Sequence, residues 1–280
     1  GLNLGRAGFG DLTFVDNDGM SPHNLARHAL VDEMSVLLPP NKAEQMKAAF
    51  AKLSHADARA VDGDAVSVLS DAARFAAVVP DDVTLIVDAT ASLQVLAAAS
   101  KAAPLAGCSA RLVRAAMYGQ GRCAVLMLEG PGRTVRVDDL AALLFEHCRV
   151  NPEVRVAIAG DSTEPTRVFV GDNCRSLTTP ISDAVVSRSA APMAVQIERW
   201  LVGGLPPSGQ LCIGVADAAG LGMTWTTVAA PPVAVVSVTD DGGWDVRILP
   251  AVAEAIDADA LRWGASETGG ALIGRISYEC

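Results

Sequence analysis

The polar residues that follow the first apolar run of the chain could bind a phosphorylated ligand. The run ends at Asp16 and Asp18, and Asn24, Arg27 and His28 come shortly afterwards. A carboxylate at the C-terminal edge of a buried strand can accept hydrogen bonds from the hydroxyl groups of a ribose. Residues three or four positions apart share one helix face, so Asn24, Arg27 and His28 would lie together. The group predicts a site for a nucleotide and its phosphates.

Two helix starts would position these side chains. Ser21 and Pro22 combine a good N-cap with a proline in the first turn, which predicts a helix carrying Arg27. Asn41 predicts the cap of a second helix over 42–53, with Lys42 in its first turn. A purely structural interpretation stays open for each residue, because acids also close strands as turn residues and exposed lysines are usually solvated.

Composition limits the classes of function. The chain has 280 residues, half of them apolar, with few aromatics and a formal charge of −10. Abundant Ala, Val and Leu suit parallel strands covered by helices, and the negative charge argues against nucleic-acid binding. No apolar run is long enough for a membrane span, and no signal peptide is visible. Six cysteines without metal-ligand spacing indicate reduced thiols, so we expect a cytoplasmic α/β protein.

The spacing of the first polar group resembles that of the ThiF-type adenylyltransferases, which include ubiquitin-activating enzymes and their bacterial relatives. In that family a strand ending in D-x-D precedes N-L-x-R, and this chain has both motifs at 16–18 and 24–27. The resemblance implies a Rossmann-like fold, with a mainly parallel sheet and additional antiparallel strands. It also implies ATP as the ligand, with the ribose on Asp16 and the phosphates near Asn24, Arg27 and Lys42. The expected site is lined by Asp16, Asp18, Asn24, Arg27, Lys42 and Asp88.

A second predicted strand, 83–87, is followed by Asp88 and Thr90, which fits the same resemblance. Family members carry an aspartate that contributes to Mg²⁺ binding where this chain has Ala91. We therefore expect ATP and Mg²⁺ as cofactors, with two alternatives for the metal. Either another carboxylate replaces the missing one, or the adenylation chemistry is altered or lost.

The rest of the chain predicts alternating strands and helices. A hairpin is expected where Tyr118 begins a glycine-rich turn. The predicted strands are 110–117, 122–128, 154–159, 167–170, 210–215 and 223–228. A strand and turn are predicted over 58–69, followed by a helix through Ala77, and the other predicted helices are 92–102, 138–148 and 181–201.

Cys174 is the candidate nucleophile. It lies in a polar loop beside Arg175 and shortly before a helix capped at Ser182, and both neighbours favour a thiolate. Cys123 and Cys212 lie in apolar strands, where inert thiols usually occur. In ubiquitin-activating enzymes the nucleophilic cysteine lies in a crossover loop, so the resemblance implies that role for Cys174. A loop cysteine without a role is the alternative.

The C-terminal segment carries a second resemblance. A predicted strand at 244–249 and a helix at 250–262 precede E-T-G-G-x-L-x-G at 267–274, an order similar to the opening of a JAB/MPN metalloprotease domain. That resemblance implies that Glu267 is a general base acting on zinc-bound water. The family's zinc ligands are expected beyond Cys280, so Zn²⁺ is expected only in a complete JAB domain. We expect an adenylation domain over 1–238 and the start of a JAB domain over 239–280.

The combined resemblance implies adenylation of the C-terminus of a ubiquitin-like protein and transfer to Cys174, coupled to a JAB-type isopeptidase. The ubiquitin-like protein, a conjugating enzyme and a second copy of the chain are the expected partners. A glycine loop and first strand are expected before Gly1, so we interpret the chain as an inactive fragment cut at both ends. The alternatives are a catalytically impaired binding or dimerisation module, and a nicotinamide-dependent oxidoreductase.

Overall fold

The computed structural model describes residues 1–20, 24, 28–30, 41–160, 181–238, 244–264 and 266. Helices and strands alternate along most of this part of the chain. The helices are α1 (Leu2–Arg6), α2 (Lys42–Lys52), α3 (Ala65–Ser70), α4 (Ala72–Val78), α5 (Leu93–Lys101), α6 (Ala103–Ala106), α7 (Val137–Val150), α8 (Pro152–Ala159), α9 (Asp183–Gly203) and α10 (Pro250–Trp263). The strands are β1 (Thr13–Val15), β2 (Arg59–Val61), β3 (Leu85–Asp88), β4 (Arg111–Tyr118), β5 (Cys123–Leu128), β6 (Gly209–Ala216), β7 (Met223–Ala230), β8 (Ala234–Val238) and β9 (Trp244–Ile248).

The described strands form three sheets. β1 and β2 pair in parallel, and the largest sheet has the order β3-β4-β5-β6-β7. In that sheet β3 and β4 are parallel, and every other neighbouring pair is antiparallel. β8 and β9 form a separate antiparallel pair. The fold is therefore α/β with mixed sheets. The expectation of a mainly parallel sheet is wrong for the described strands, because antiparallel pairs outnumber parallel ones.

The core is organised around β5, whose six residues are all buried. Successive side chains of a strand point to opposite faces of its sheet, so β5 contributes to two separate clusters. Cys123, Val125 and Met127 pack with residues of α7 and α8. Ala124 and Leu126, from the other face, pack with residues of α9. Helices therefore cover both faces of the large sheet. This explains why the sequence of β5 is a continuous apolar run.

A third cluster joins the small sheet to the large one. Val15 of β1 and Ile86 of β3 both pack against a group of buried residues that includes Leu96 and Leu112. Each strand is followed or ended by one of the predicted site residues, Asp16 after β1 and Asp88 at the end of β3. The shared cluster thus fixes the two strands that carry the acidic side chains.

Most elements predicted from the sequence are confirmed, including the hairpin of β4 and β5, the long helix α9 and the strand pair of β6 and β7. Of the predicted caps, Asn41 and Ser182 are confirmed, and Ser21 lies outside the described residues. Asn41 accepts hydrogen bonds from the backbone N–H groups of Ala43 and Glu44, at 2.7 and 3.3 Å. Ser182 accepts one from Val185 N at 3.4 Å.

The strand predicted over 154–159 is wrong, because these residues belong to helix α8. Alternation of Val154, Val156 and Ile158 suggested a strand, but the preceding residues start a helix. Asn151 accepts hydrogen bonds from the N–H groups of Glu153 and Val154, at 3.1 and 3.3 Å, and Pro152 occupies the first turn. This cap and proline satisfy or remove the N–H groups that a helix start leaves without partners.

The strand and turn predicted over 58–69 are only partly confirmed, because β2 is followed by the helix α3 before α4 begins. Asp71 ends α3 in an extended conformation, and its side chain accepts hydrogen bonds from Ala73 N and Arg74 N, both at 2.9 Å. The same residue thus ends one helix and caps the next. The helix α3 was not predicted, because its residues were assigned to the strand and turn around 62–64.

The C-terminal part contains a strand that was not predicted. β8 pairs with β9 from Ala234 opposite Ile248 to Val238 opposite Trp244, so this hairpin spans the expected domain boundary at 238/239. Arg247 of β9 connects the hairpin to α7, because its guanidinium contacts the Asp139 carboxylate at 2.7 to 3.0 Å. The helix predicted after β9 is confirmed as α10. Within the described ranges, no helix combines the length and apolar character that crossing a membrane requires.

Candidate nucleotide-binding site

The turn after β1 is held by its own acidic residues. Asp16 accepts a hydrogen bond from the backbone N–H of Asp18 through Oδ1, at 2.8 Å. The carbonyl of Asp18 accepts one from the backbone N–H of Lys42, also at 2.8 Å. The turn is therefore attached directly to the start of α2, although 24 residues separate Asp18 from Lys42.

Lys42 is bound to the same turn through its side chain. Its Nζ lies 3.2 Å from Oδ2 of Asp18, and the two side chains are 7% and 18% exposed. Burial to this degree excludes the interpretation of Lys42 as a solvated surface lysine. The positive charge lies at a helix N-terminus, where the helix dipole opposes a cation and favours an anion. The ammonium group and the helix end together make this turn a favourable place for a negatively charged ligand.

Asn41 connects three elements at this turn, a role that its assignment as a helix cap did not include. Besides capping α2, it donates from Nδ2 to the carbonyl of Asp16 at 2.5 Å and to Oδ1 of Asp62 at 3.0 Å. Asp62 directly follows β2. The amide thus holds the ends of β1 and β2 against the start of α2. The sequence predicted Asn41 as a cap but not its partners Asp16 and Asp62, which lie more than twenty residues away on either side.

His28 is partly buried and interacts electrostatically with Lys42 and Asp16. Asn24 is bonded to His28 through the backbone. Asn24 is only 5% exposed, and its carbonyl accepts a hydrogen bond from His28 N at 2.8 Å. Nδ1 of His28 accepts a hydrogen bond from Leu30 N at 3.2 Å, which places the proton of a neutral ring on Nε2. Burial, together with the nearby charge of Lys42, lowers the pKa of His28. The imidazole is therefore neutral at pH 7 and lies within electrostatic reach of Asp16 and Lys42.

Asp88 ends β3 in a different environment from Asp16 and Asp18. Its Oδ1 accepts hydrogen bonds from the N–H and the hydroxyl of Thr90, at 2.9 and 2.7 Å. Its Oδ2 forms an ion pair with Nη1 of Arg114, and both side chains are almost completely buried. Arg114 was not among the predicted site residues. It follows Asp88 by 26 positions and becomes its neighbour only when β3 and β4 pair.

The loop after Asp88 does not supply the ligands that Mg²⁺ would need. Ala91 has no ligating atom, and its φ of +56° lies in the left-handed region. Mg²⁺ is usually bound through one or two carboxylates together with phosphates and water. The one carboxylate at this strand end is already bonded to Thr90 and Arg114. The residues present at Asp88 therefore do not fit a magnesium site.

Three predicted site residues, Arg27, Cys174 and Glu267, lie outside the described part of the chain. Their expected roles stay predictions. Among the residues that the structure does describe, no three His, Cys, Asp or Glu side chains are grouped closely enough to hold a metal ion.

The strand cysteines have the inert character that the sequence indicated. Cys123 is fully buried and Cys212 is 3% exposed. Burial raises the pKa of the Cys123 thiol to about 12, and burial also raises the pKa of Cys212. Neither thiol is a nucleophile at neutral pH, because the thiolate is the reactive form.

Acidic residues at the ends of β1 and β3 are a feature of the Rossmann-like class of α/β protein, and the buried lysine at the N-terminus of α2 suits an anionic ligand. Comparison with known families is consistent with this class. Residues 2–142 match the ThiF family. The match covers half of the 280 residues, and the chain belongs to the ThiF family. No curated protein shows a significant match to the chain. Family membership indicates an adenylyltransferase-type domain.

Proposed function

We propose that the protein uses ATP to adenylate the C-terminal carboxylate of a ubiquitin-like protein. The observation that carries this proposal is the cluster of Asp16, Asp18 and Lys42 within the region that matches the ThiF family. In this proposal Asp16 accepts hydrogen bonds from the ribose, and Lys42 and the N-terminus of α2 attract the phosphates. Asn24, which is 5% exposed, and Arg27 complete the phosphate side in this proposal.

The proposed reaction has two steps. A carboxylate oxygen of the ubiquitin-like protein attacks the α-phosphorus of ATP, and pyrophosphate leaves as the acyl-adenylate forms. The thiolate of Cys174 then attacks the acyl carbon, and AMP leaves as the thioester forms. Adenylation makes the acyl group reactive, because AMP is a far better leaving group than an oxide, and a thiolate is a strong nucleophile toward it.

Positive charge near the phosphates is the main contribution of this site to the first step. Negative charge accumulates on pyrophosphate as its bond to the α-phosphorus breaks, and a fixed ammonium group stabilises that charge in the transition state. Lys42 is well placed for this role, since its hydrogen bonds to the turn at Asp18 hold both its backbone and its side chain.

The coupling to other activities extends this proposal. By its sequence, the segment that begins with E-T-G-G at 267–270 would open a JAB-type isopeptidase domain with Glu267 as the base and Zn²⁺ in the complete domain. A homodimer and a conjugating enzyme are the further partners that the ThiF resemblance suggests. Expression of the complete domain followed by zinc analysis and a cleavage assay tests the isopeptidase part separately.

A catalytically impaired ThiF protein that binds a ubiquitin-like partner is the second candidate. One observation favours it. The Asp88 carboxylate is engaged in an ion pair with Arg114, and Ala91 provides no second carboxylate. ThiF membership favours both candidates over a nicotinamide-dependent oxidoreductase.

ATP–pyrophosphate exchange by the full-length protein, with candidate ubiquitin-like proteins, separates the two candidates. Exchange that depends on the partner's free C-terminal carboxylate supports adenylation. The Arg27→Ala variant should then lose exchange by about 10²-fold, because one phosphate-facing charge is removed. Stable binding of the partner without any exchange would instead support the impaired protein.

A further inference from the structure

We infer that Arg114 provides the positive charge that neutralises Asp88, so that this strand end positions the loop 89–92 and does not bind a divalent cation. The inference rests on the proposed nucleotide site and concerns the ionic form of its ligand. The site would take the nucleotide without a metal ion bound at Asp88.

The hydrogen bonds of Asp88 leave little capacity for a metal ion. Oδ1 already accepts two hydrogen bonds from Thr90, and a carboxylate oxygen has two lone pairs. Oδ2 is bonded to the guanidinium of Arg114. The residue is only 7% exposed, so a hydrated ion could approach it only by displacing one of these partners.

Arg114 is fixed in place by several elements. It lies directly opposite Asp88 in the parallel register of β3 and β4, and it is 4% exposed. Its Nη2 donates to the carbonyl of Ser92 at 3.1 Å, and Ser92 caps α5. The guanidinium therefore joins two strands to the start of a helix. Its role is that of a positioning residue, because it contacts the loop and not the expected ligand.

A divalent cation and this guanidinium would compete for the same carboxylate. Like charges in a poorly hydrated environment repel strongly, and a second carboxylate would normally offset this cost. Ala91 offers a methyl group at the position where the loop could carry such a carboxylate. The positive charge facing the phosphates would then come from Lys42 and the N-terminus of α2. We therefore expect Mg²⁺ to add little to nucleotide affinity.

Binding of Mn²⁺ alone, followed by electron paramagnetic resonance, tests the inference without any nucleotide. The probe is added to the full-length protein and to the double variant Ala91→Asp, Arg114→Gln. The wild-type protein should bind no Mn²⁺ at this strand end, and the double variant should bind it at least about 10-fold more tightly, because it presents two carboxylates and no guanidinium. Mn²⁺ bound equally well by the wild type would overturn the inference. A folded double variant that gains no binding would overturn the role of Arg114.

Calorimetric titration of ATP into the full-length wild-type protein, with Mg²⁺ or with EDTA, gives a second measurement that needs no variant. The dissociation constants should agree within about 2-fold, and a 10-fold tighter value with Mg²⁺ would contradict the inference. Absence of ATP binding in both conditions would instead reject the proposed nucleotide site, and the Mn²⁺ experiment would still decide the role of Arg114. The single variant Ala91→Asp keeps the buried ion pair and serves as the folded control, with Mn²⁺ binding expected to stay as weak as in the wild type.

Discussion

The ammonium group of Lys42 lies 3.2 Å from a carboxylate oxygen of Asp18, and the backbone N–H of Lys42 donates to the carbonyl of the same residue. Two bonds therefore connect the turn after β1 to the first residue of α2. The lysine is held at the helix N-terminus, where a cation gains nothing from the helix dipole. The position of a cation at this helix end is explained if the Lys42 ammonium group contacts a bound anion as well as Asp18.

Lys42→Ala should reduce ATP–pyrophosphate exchange by about 10²-fold, because it removes a charge directed at the leaving phosphates. It should also lower the free energy of unfolding by about 2 kcal/mol, which is less than the full cost of breaking a buried ion pair because Asp18 is partly exposed. Exchange kinetics and urea denaturation measure the two effects.

Lys47→Ala is the matched control for that experiment. Lys47 lies on the same helix, but its side chain is 50% exposed and its nearest carboxylate, on Glu44, is 3.9 Å away. Both exchange and stability should stay close to the wild-type values. If Lys42→Ala behaves like this control, Lys42 does not belong to the site.

Ala91→Gly should increase the free energy of unfolding by about 1 kcal/mol, because a residue with a Cβ is strained at a φ of +56° and glycine is not. Ala98→Gly, the same change within helix α5, should decrease stability by about 1 kcal/mol. Chemical denaturation of both variants measures the two values. Changes of the same sign would show that Ala91 is not strained.

Glu129 should make the protein less stable as the pH rises toward neutrality. The side chain is buried after β5, and burial outweighs the attraction of Arg133 and raises the pKa of Glu129 from 4.5 to about 7. The folded state therefore keeps a proton that the unfolded state has already lost. The stabilisation is fully present below about pH 4.5 and is lost by pH 7, a change of about 3 kcal/mol for this group.

Glu129→Gln should remove this contribution and flatten the pH dependence of stability between about pH 4.5 and 7. The glutamine oxygen can still accept the hydrogen bond that Val137 N donates to Oε1 at 3.0 Å. Urea denaturation at a series of pH values measures the effect, and Glu153→Gln on the exposed first turn of α8 is the control. An unchanged profile for Glu129→Gln would contradict the raised pKa.

Arg247→Lys should loosen the β8–β9 hairpin. The guanidinium contacts Asp139 through both Nε and Nη2, at 2.7 to 3.0 Å, and a lysine ammonium cannot reproduce this two-pronged contact. Amide hydrogen exchange in β9 should accelerate about 10-fold, which corresponds to about 1.4 kcal/mol of local stability. Arg74→Lys, on an exposed position of α4, should leave it unchanged. If exchange in β9 is the same in both variants, other contacts hold the hairpin.

The sequence predicted local features of the fold better than long-range ones. Caps such as Asn41 and Ser182 act on N–H groups two or three residues away, so their residue types predict the helix starts. The continuous apolar run of β5 likewise predicted a strand, which is confirmed. The error at 154–159 concerns residues in which Val and Ile alternate as in a strand, although Asn151 and Pro152 start a helix there.

The candidate site depended on contacts that no local pattern contains. The positions of Asp16 and Asp18 after a strand followed from the apolar run, but the ion pair of Lys42 requires the return of α2 to the end of β1. The partnership of Asp88 with Arg114 requires the pairing of two strands separated by a helix. Strand-end acids are therefore predictable from a sequence, whereas their partners depend on topology.

Cys174 should be the first of the loop and strand cysteines to react with iodoacetamide. A neighbouring arginine and a following helix start favour its thiolate, whereas Cys123 and Cys212 are buried and their pKa values are raised, for Cys123 to about 12. Mass spectrometry of peptides after brief alkylation at pH 7 gives the order. Faster labelling of Cys123 or Cys212 would count against a reactive Cys174.

The variant Cys174→Ala tests the role of this cysteine in acyl transfer. It should leave ATP–pyrophosphate exchange intact, because the adenylate forms before the acyl group reaches the cysteine. It should abolish the adduct with the ubiquitin-like protein that reducing agents cleave, since a thioester needs the thiol. Cys123→Ala is the control and should keep both activities. An adduct that persists in Cys174→Ala would transfer the acceptor role to another cysteine, with Cys108 the next candidate because it is only partly buried.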